Sequence, residues 1–147
     1  MTGEMFVDSN VLVYARDASE PEKQEKALAW MEHLWNRGAG RLSFQVLQEF
    51  YATVTEKLKP GLGAAHARGD VRSLLAWRPI AIDDGVLEGA WSVQERFRLS
   101  WRDALIISAA QSGHCRYLLS EDFQEGQKFG NVRIINPFHV SPTSIIP

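Results

Sequence analysis

Short apolar runs alternate with amphipathic segments along the chain, and this alternation restricts the fold more than any other feature of the sequence. Five runs are typical of short strands: residues 5–8, 41–44, 80–82, 117–120 and 132–135. Strands that alternate with helices form a parallel sheet covered on both faces. The sequence therefore predicts an α/β fold with a central parallel sheet of about five strands.

Between the strands, apolar residues recur at helical spacing. One predicted helix begins at Pro21 and ends at Gly38, and four others cover residues 46–58, 71–77, 86–97 and 104–110. The last of these is apolar nearly all round, as a buried helix would be. We expect residues 1–138 to form a single domain. Residues 139–147 are expected to form a C-terminal tail whose prolines argue against regular structure.

The composition is typical of a soluble globular protein rather than of a membrane protein or a disulfide-rich protein. The 147 residues are 45% hydrophobic and 23% charged, with a net charge of −2. This balance predicts no broad basic surface, so nucleic acid would have to bind locally or through a metal. Cys115 is the only cysteine, which excludes an internal disulfide and fits a cytoplasmic protein. We expect neither a signal peptide nor a membrane span.

Four acidic residues stand at informative positions. Asp8 and Asp122 stand at the carboxyl ends of predicted strands, whereas Glu49 and Asp103 lie near the starts of predicted helices. Each has a simpler alternative: Asp8 would cap a helix, Asp103 would form a capping box with Ser100, and the other two would be solvated. In open α/β sheets, however, sites form beyond the carboxyl ends of the strands, and all four acids could project there.

Carboxylates held close together repel one another and raise one another's pKa unless a cation is present. Oxygen ligands without histidine or cysteine favour a hard ion, Mg²⁺ or Mn²⁺. Such ions commonly serve phosphodiester chemistry, because they stabilise the charge of an in-line displacement. The acids taken together therefore indicate a metal-dependent site.

Four ordered motifs carry a resemblance to a known family: FVDSNVLVYARD, LSFQVLQEFYATVT, LSWRDALIISAAQSG and YLLSEDFQEG. The set resembles the PIN domain and, more narrowly, the VapC-type toxins of bacterial toxin–antitoxin pairs. The resemblance runs from residue 5 to about residue 138 and implies a PIN-like α/β/α sandwich. It also implies a metal-dependent endoribonuclease, the toxin of a type II pair, that is neutralised by a cognate antitoxin and forms a homodimer.

The resemblance implies a role for each acid as a catalytic, metal-binding residue. Asp8 and Asp103 would be the central ligands of Mg²⁺ or Mn²⁺, and Asp122 would complete the site. Glu49 would act through a second ion or its water. The metal would activate water to attack an RNA phosphorus, giving 5′-phosphate and 3′-hydroxyl products. In such pairs the antitoxin often inserts a basic side chain among the acids.

Neighbouring positions add supporting residues and departures from the family pattern. Asn10 and Ser120 match positions that usually hydrogen-bond the carboxylates. Many PIN domains carry an acid where this chain has Gln124, and Glu125 is either a partial substitute or a solvated charge. Arg102 stands where relatives often carry an apolar or aromatic residue. It would contact an RNA phosphate or pair with a neighbouring acid.

Other functions remain as alternatives. A PIN-like scaffold that binds partners without cleaving, or a PIN nuclease in RNA processing, would share the fold. A receiver or phosphatase on a similar sheet is disfavoured. A receiver needs a lysine after the last strand, and the segment VRIINPF has none. A haloacid-type phosphatase needs an aspartate two residues after the first, where this chain has Asn10.

Overall fold

A five-stranded sheet forms the centre of the molecule. The protein is described here by a computed structural model that covers residues 4–147. Its strands are β1 (Met5–Val7), β2 (Gly40–Arg41), β3 (Tyr117–Leu119), β4 (Lys128–Phe129) and β5 (Val132–Ile135). Their order is β2-β1-β3-β5-β4, and every neighbouring pair is parallel except β4 and β5. The predicted α/β fold with about five strands is confirmed.

In the described part of the chain, seven α-helices accompany the sheet: α1 (Ser9–Tyr14), α2 (Pro21–Arg37), α3 (Phe44–Ala52), α4 (Ala64–Leu74), α5 (Asp84–Phe97), α6 (Trp101–Ser112) and α7 (Pro142–Ile145). A π-helical turn, Thr53–Lys57, extends α3, and a 3₁₀ turn, Leu75–Trp77, extends α4. Local residue chemistry determines where these helices begin and end. Gly38 closes α2 in the left-handed conformation, and the Ser43 hydroxyl caps α3 by accepting the Val46 N–H.

Burial of their side chains explains how such short strands can form a stable sheet. All three residues of β1 are buried, as expected for a strand covered on both faces. Helix α6 buries six of its residues and packs along α5, which accounts for its nearly continuous apolar sequence. A strand of three residues is therefore held mainly by side-chain packing above and below it.

Several strand predictions differ from the structure. Of residues 41–44, only Arg41 lies in β2, because Ser43 caps α3 and Phe44 begins that helix. The predicted strand at residues 80–82 is wrong, because only Ile80 pairs, through an isolated bridge to Ser43. Soon after it, the Asp83 carboxylate accepts the Val86 N–H and begins α5. Conversely, β4 was not predicted. Its two residues are too few to show the alternation that identifies a strand.

The C-terminal segment packs against α2. The Trp30 indole donates to the carbonyls of Pro137 and Val140 at 3.0 and 3.1 Å, and Ile146 is 1% exposed. The expectation that the tail lacks regular structure is wrong for α7, which begins at Pro142 because proline suits the first helical position. The domain boundary at residue 138 stays a prediction. Within residues 4–147, no helix has the length and apolarity needed to cross a membrane.

Gly40 gives a direct test of the packing around β2. A Cβ atom at this buried position would overlap the six-membered ring of Trp77. We expect Gly40→Ala to lower the free energy of unfolding by about 1–3 kcal/mol, the usual cost of overpacking. A matched control is Gly69→Ala in α4, where a Cβ meets nothing within 4 Å and should stabilise by up to about 1 kcal/mol. Urea denaturation measures both, and equal stability of Gly40→Ala and the parent would contradict this packing.

Candidate active site

The candidate site begins where β1 and β3 end side by side. Val7 lies opposite Leu119 in the parallel register, so the residues that follow emerge at the same sheet edge. The Asp8 N–H donates to the Leu119 carbonyl at 3.0 Å, and Asp8 is fully buried. Here β1 has β2 on one side and β3 on the other, so the chain order reverses at this point. Such a switch point is where α/β sheets commonly bind ligands.

Two helices bring Glu49 and Asp103 to this edge of the sheet. Glu49 lies in α3, which follows β2, and Asp103 lies in the first turn of α6. Ser100 fixes the start of α6, because its hydroxyl accepts the Asp103 N–H at 3.2 Å. The helix start thus sets both Asp103 and its neighbour Arg102 beside the ends of the strands.

The Arg102 guanidinium lies at the centre of the four acids. Its Nη2 is 2.6 Å from Asp8 Oδ1 and 2.6 Å from Glu49 Oε1. Its Nε donates to Glu49 Oε2 at 3.0 Å. Its Nη1 donates to Asp103 Oδ1 at 3.1 Å and lies 3.8 Å from Asp122 Oδ2. All four predicted acids therefore converge on one cation, and we call Asp8, Glu49, Asp103 and Asp122 the acidic cluster.

A polar network orients the acids that follow the strands. The Ser120 hydroxyl donates to Asp8 Oδ2 at 2.8 Å. The Asn10 amide donates to Asp122 Oδ2 at 3.1 Å and to Ser120 Oγ at 3.1 Å, with a longer bond of 3.4 Å to Asp8. The structure thus places Asn10 and Ser120 in contact with two of the acids. These contacts fix the carboxylates of residues separated by more than a hundred positions in sequence.

Ser9 also takes part in the site, and sequence reasoning missed it. Its hydroxyl donates to Glu49 Oε1 at 2.9 Å and accepts from Arg102 Nη2 at 3.0 Å. The sequence feature that could have indicated this role is the position of Ser9 directly after Asp8, at the first residue of α1. The Gln45 amide makes weaker contacts of 3.4 Å with Glu49 and with the Arg102 carbonyl.

The simpler roles considered for the acids coexist with the cluster. Asp8 does cap α1, accepting the Ser9 N–H at 2.7 Å, while its oxygens also bind Arg102. Two nearby carboxylates contact other groups. Glu121 pairs with Lys23 at 2.9 Å, and Glu125 lies 3.6 Å from His139. Arg102 pairs with acids in this structure, and its contact with an RNA phosphate stays a prediction.

The surroundings shift the ionisation of the site. Complete burial raises the pKa of the Asp8 carboxyl, and the charge and hydrogen bonds of Arg102 oppose that rise. Burial also pushes the pKa of Glu49 upward, but hydrogen bonds and charge from Arg102 outweigh it and hold that pKa below its ordinary value. Burial disfavours the Arg102 cation, yet Glu49 and Asp8 raise its pKa further above its already high ordinary value. The guanidinium is therefore charged at every ordinary pH.

The acidic cluster suits a divalent metal in its chemistry but not in its present spacing. Its oxygen donors are those that Mg²⁺ and Mn²⁺ prefer. Across residues 4–147, however, no three metal-ligating side chains are close enough together to hold an ion. Arg102 lies between the carboxylates, and a guanidinium is much wider than a metal ion. Binding of a metal by these carboxylates would require this side chain to leave the centre.

Comparison with known proteins agrees with the fold. Residues 5–125 match the family model of the PIN domain. No curated protein matches the sequence. A toxin–antitoxin complex from Klebsiella pneumoniae has a similar chain, with a TM-score of 0.62, 17% identity, and coverage of 92% of this chain and 99% of that one.

VapBC2 from Rickettsia felis, solved bound to a DNA fragment from its promoter, is also similar. The TM-score is 0.63 at 16% identity, covering 90% of this chain and 97% of that one. At these identities the likeness concerns the fold. The family model, by contrast, spans more than half of the chain. The protein therefore belongs to the PIN domain family, a family of nucleases.

Proposed function

We propose that the protein is a metal-dependent endoribonuclease and the toxin of a type II toxin–antitoxin pair. The observation that carries this proposal is the convergence of four carboxylates at the switch point of a PIN-type sheet. A cluster of this kind, in which Asp8 is fully buried, is costly to maintain for structure alone, because like charges repel at short distance. Its position at the carboxyl ends of the strands is open to a substrate.

Asp8, Asp103 and Asp122 would hold Mg²⁺ or Mn²⁺, and Glu49 would act through a second ion or its water. The bound ion would activate water and stabilise the charge that develops on the RNA phosphate. The polar network contributes by orientation: the Ser120 hydroxyl holds Asp8. The same network fixes Asp122 through an amide donor from α1. Such support keeps the ligands in place when the substrate binds.

An antitoxin partner is supported by the surface as well as by the similar structures, which were solved as toxin–antitoxin complexes. A cavity of about 700 Å³ opens beside α2 and α4. Its larger apolar lining residues are Leu12, Leu28, Met31, Trp35, Phe50 and Leu74. Leu28 and Trp35 are 46% and 41% exposed, an apolar surface that suits an amphipathic helix of a partner.

We also propose a homodimer that acts in the cytoplasm, where RNA is accessible. The surface offers a second apolar feature for self-association. Trp91 and Trp101 stack with their ring centroids 6.4 Å apart, and both are more than one-third exposed. Exposed aromatic pairs are enriched at protein interfaces.

A second candidate function is a PIN-like scaffold without catalytic activity. The observation in its favour is Arg102 itself, which fills the centre of the acidic cluster. A scaffold would keep this arrangement permanently. A nuclease must instead allow the cluster to exchange the guanidinium for metal, so cleavage assays separate the two.

The nuclease proposal predicts loss of RNA cleavage when a central carboxylate is neutralised. Asp8→Asn and Asp103→Asn should each lower the rate of Mn²⁺-dependent cleavage by at least about a hundredfold, because each removes a charged ligand. A structured RNA panel incubated with the purified, partner-free protein provides the measurement. Asp84→Asn, which neutralises an exposed aspartate at the start of α5, is the matched control and should cleave like the parent.

Equal cleavage by the parent, Asp8→Asn and Asp103→Asn would assign the activity to a contaminant or another site. Absence of cleavage by the parent across the RNA panel, in the presence of metal, would favour the scaffold. The unsubstituted protein cleaves RNA in the first outcome and does not cleave it in the second.

The depressed pKa of Glu49 predicts a pH-dependent contribution to stability. Because its folded-state pKa lies below the ordinary value of 4.5, ionised Glu49 stabilises the fold above that pH. Glu49→Gln should lower the free energy of unfolding by about 1 kcal/mol at pH 7, since Glu49 is partly exposed. The gap should shrink as the pH falls through the folded-state pKa. Urea denaturation at pH 7 and pH 3 measures it, and a constant gap would contradict the shift.

A further inference from the structure

Arg102 uses its whole guanidinium on the acidic cluster. Its three nitrogens contact Asp8, Glu49, Asp103 and Asp122, and Nη2 also donates to the Ser9 hydroxyl. Four carboxylates face one guanidinium, so the cluster retains excess negative charge with Arg102 in place. The side chain thus provides the cation that this cluster needs, but only a single charge.

The oxygens that contact Arg102 belong to the same carboxylates that would bind a metal. Asp8 and Glu49 each direct both carboxylate oxygens toward it. A Mg²⁺ ion requires its ligands at about 2.0–2.1 Å in octahedral geometry. Carboxylates spread around a planar guanidinium cannot meet that requirement, in agreement with the absence of a three-ligand cluster among residues 4–147. Metal and guanidinium therefore exclude one another.

Arg102 is also placed so that it can leave. It is the second residue of α6, and its side chain is 31% exposed, which gives it access to solvent without unfolding of the helix. A cation in the first turn of a helix is disfavoured by the helix dipole. The acidic cluster compensates for this position. A divalent ion, with twice the charge, would remove much of the attraction that keeps the guanidinium inside.

We propose that Arg102 is an internal cation that competes with divalent metal for the acidic cluster and holds the metal-free protein in an assembled but inactive state. This inference rests on the proposed metal-dependent function. Metal binding and guanidinium release would be a single coupled exchange. The cluster would remain folded without metal, because Arg102 replaces part of the missing charge.

The test is Mn²⁺ binding to the partner-free protein, measured by calorimetry and by the loss of the free-ion paramagnetic resonance signal. Arg102→Gln should bind Mn²⁺ on the order of tenfold tighter than the parent, the equivalent of about one charged hydrogen bond. Arg102→Lys, which keeps the charge but loses the planar contacts, should bind with intermediate affinity. Arg116→Gln is the matched control, because it removes an equal charge from a surface pair with Glu4 and should leave the affinity unchanged.

Two further measurements locate the ion and show whether the variants are folded. Arg102→Gln combined with Asp103→Asn should lose the gain in affinity, and persistence of that gain would place the ion elsewhere and overturn the inference. If Arg102→Gln does not fold without metal, Arg102→Lys carries the comparison. Far-ultraviolet circular dichroism with and without Mn²⁺ shows which case applies.

The outcomes separate this inference from the function on which it rests. Equal or weaker Mn²⁺ binding by Arg102→Gln, with clear binding by the parent, overturns the competition and leaves the metal site intact. Absence of Mn²⁺ binding by the parent, Arg102→Lys and Arg102→Gln alike overturns both. Tighter binding by Arg102→Gln with an unchanged Arg116→Gln supports the exchange.

Discussion

The contact between the Arg102 guanidinium and four carboxylates is the interaction on which the candidate site depends. It joins the end of β1, the loop after β3, the second turn of α3 and the first turn of α6. Without a cation, the acids would repel one another at the point where Asp8 is fully buried. The geometry of the sheet creates this problem, because parallel strands deliver their following residues to one edge, and the arginine relieves it within the same chain.

A site whose negative charge is already partly offset by an internal cation differs from a site that awaits its metal. An empty carboxylate cluster favours any cation, whereas this one requires an exchange in which protein contacts are lost as metal contacts form. The hydrogen bonds that orient the acids would persist through such an exchange. Ser120 and Asn10 bond the acids from the side of the strands and do not contact the guanidinium. They would preserve the orientation of Asp8 and Asp122 while the cation changes.

Much of the fold and the membership of the site could be predicted from the sequence. β1 and β3 are continuous apolar runs that end in polar residues, so their burial and their acids at the strand ends were readable. The Ile80 bridge and β4 were not, because pairing of one or two residues is decided by neighbours distant in sequence. The helix at Pro142 was missed for a similar reason: its order comes from packing against α2, which local composition does not encode.

The centre of the site was harder to predict than its members. The sequence placed Arg102 beside Asp103, but adjacent helix residues point in different directions, so contact with Glu49 depends on how α3 and α6 are placed around the ends of the strands. Ser9 was hidden because one hydroxyl serves two partners that lie 40 and 93 positions away. Distances of this kind follow from tertiary packing, and a single sequence contains no direct signal for them.

In the proposed exchange, one position surrounded by four acids is held either by the Arg102 guanidinium or by a divalent ion. Crystals grown without metal and with Mn²⁺, the latter measured with anomalous diffraction, test this exchange. We expect the guanidinium among the acids in the first crystal. In the second we expect an anomalous peak beside Asp8 and Asp103, with the guanidinium displaced. A Mn²⁺ peak outside the cluster, or Arg102 unchanged beside bound Mn²⁺, would contradict the exchange.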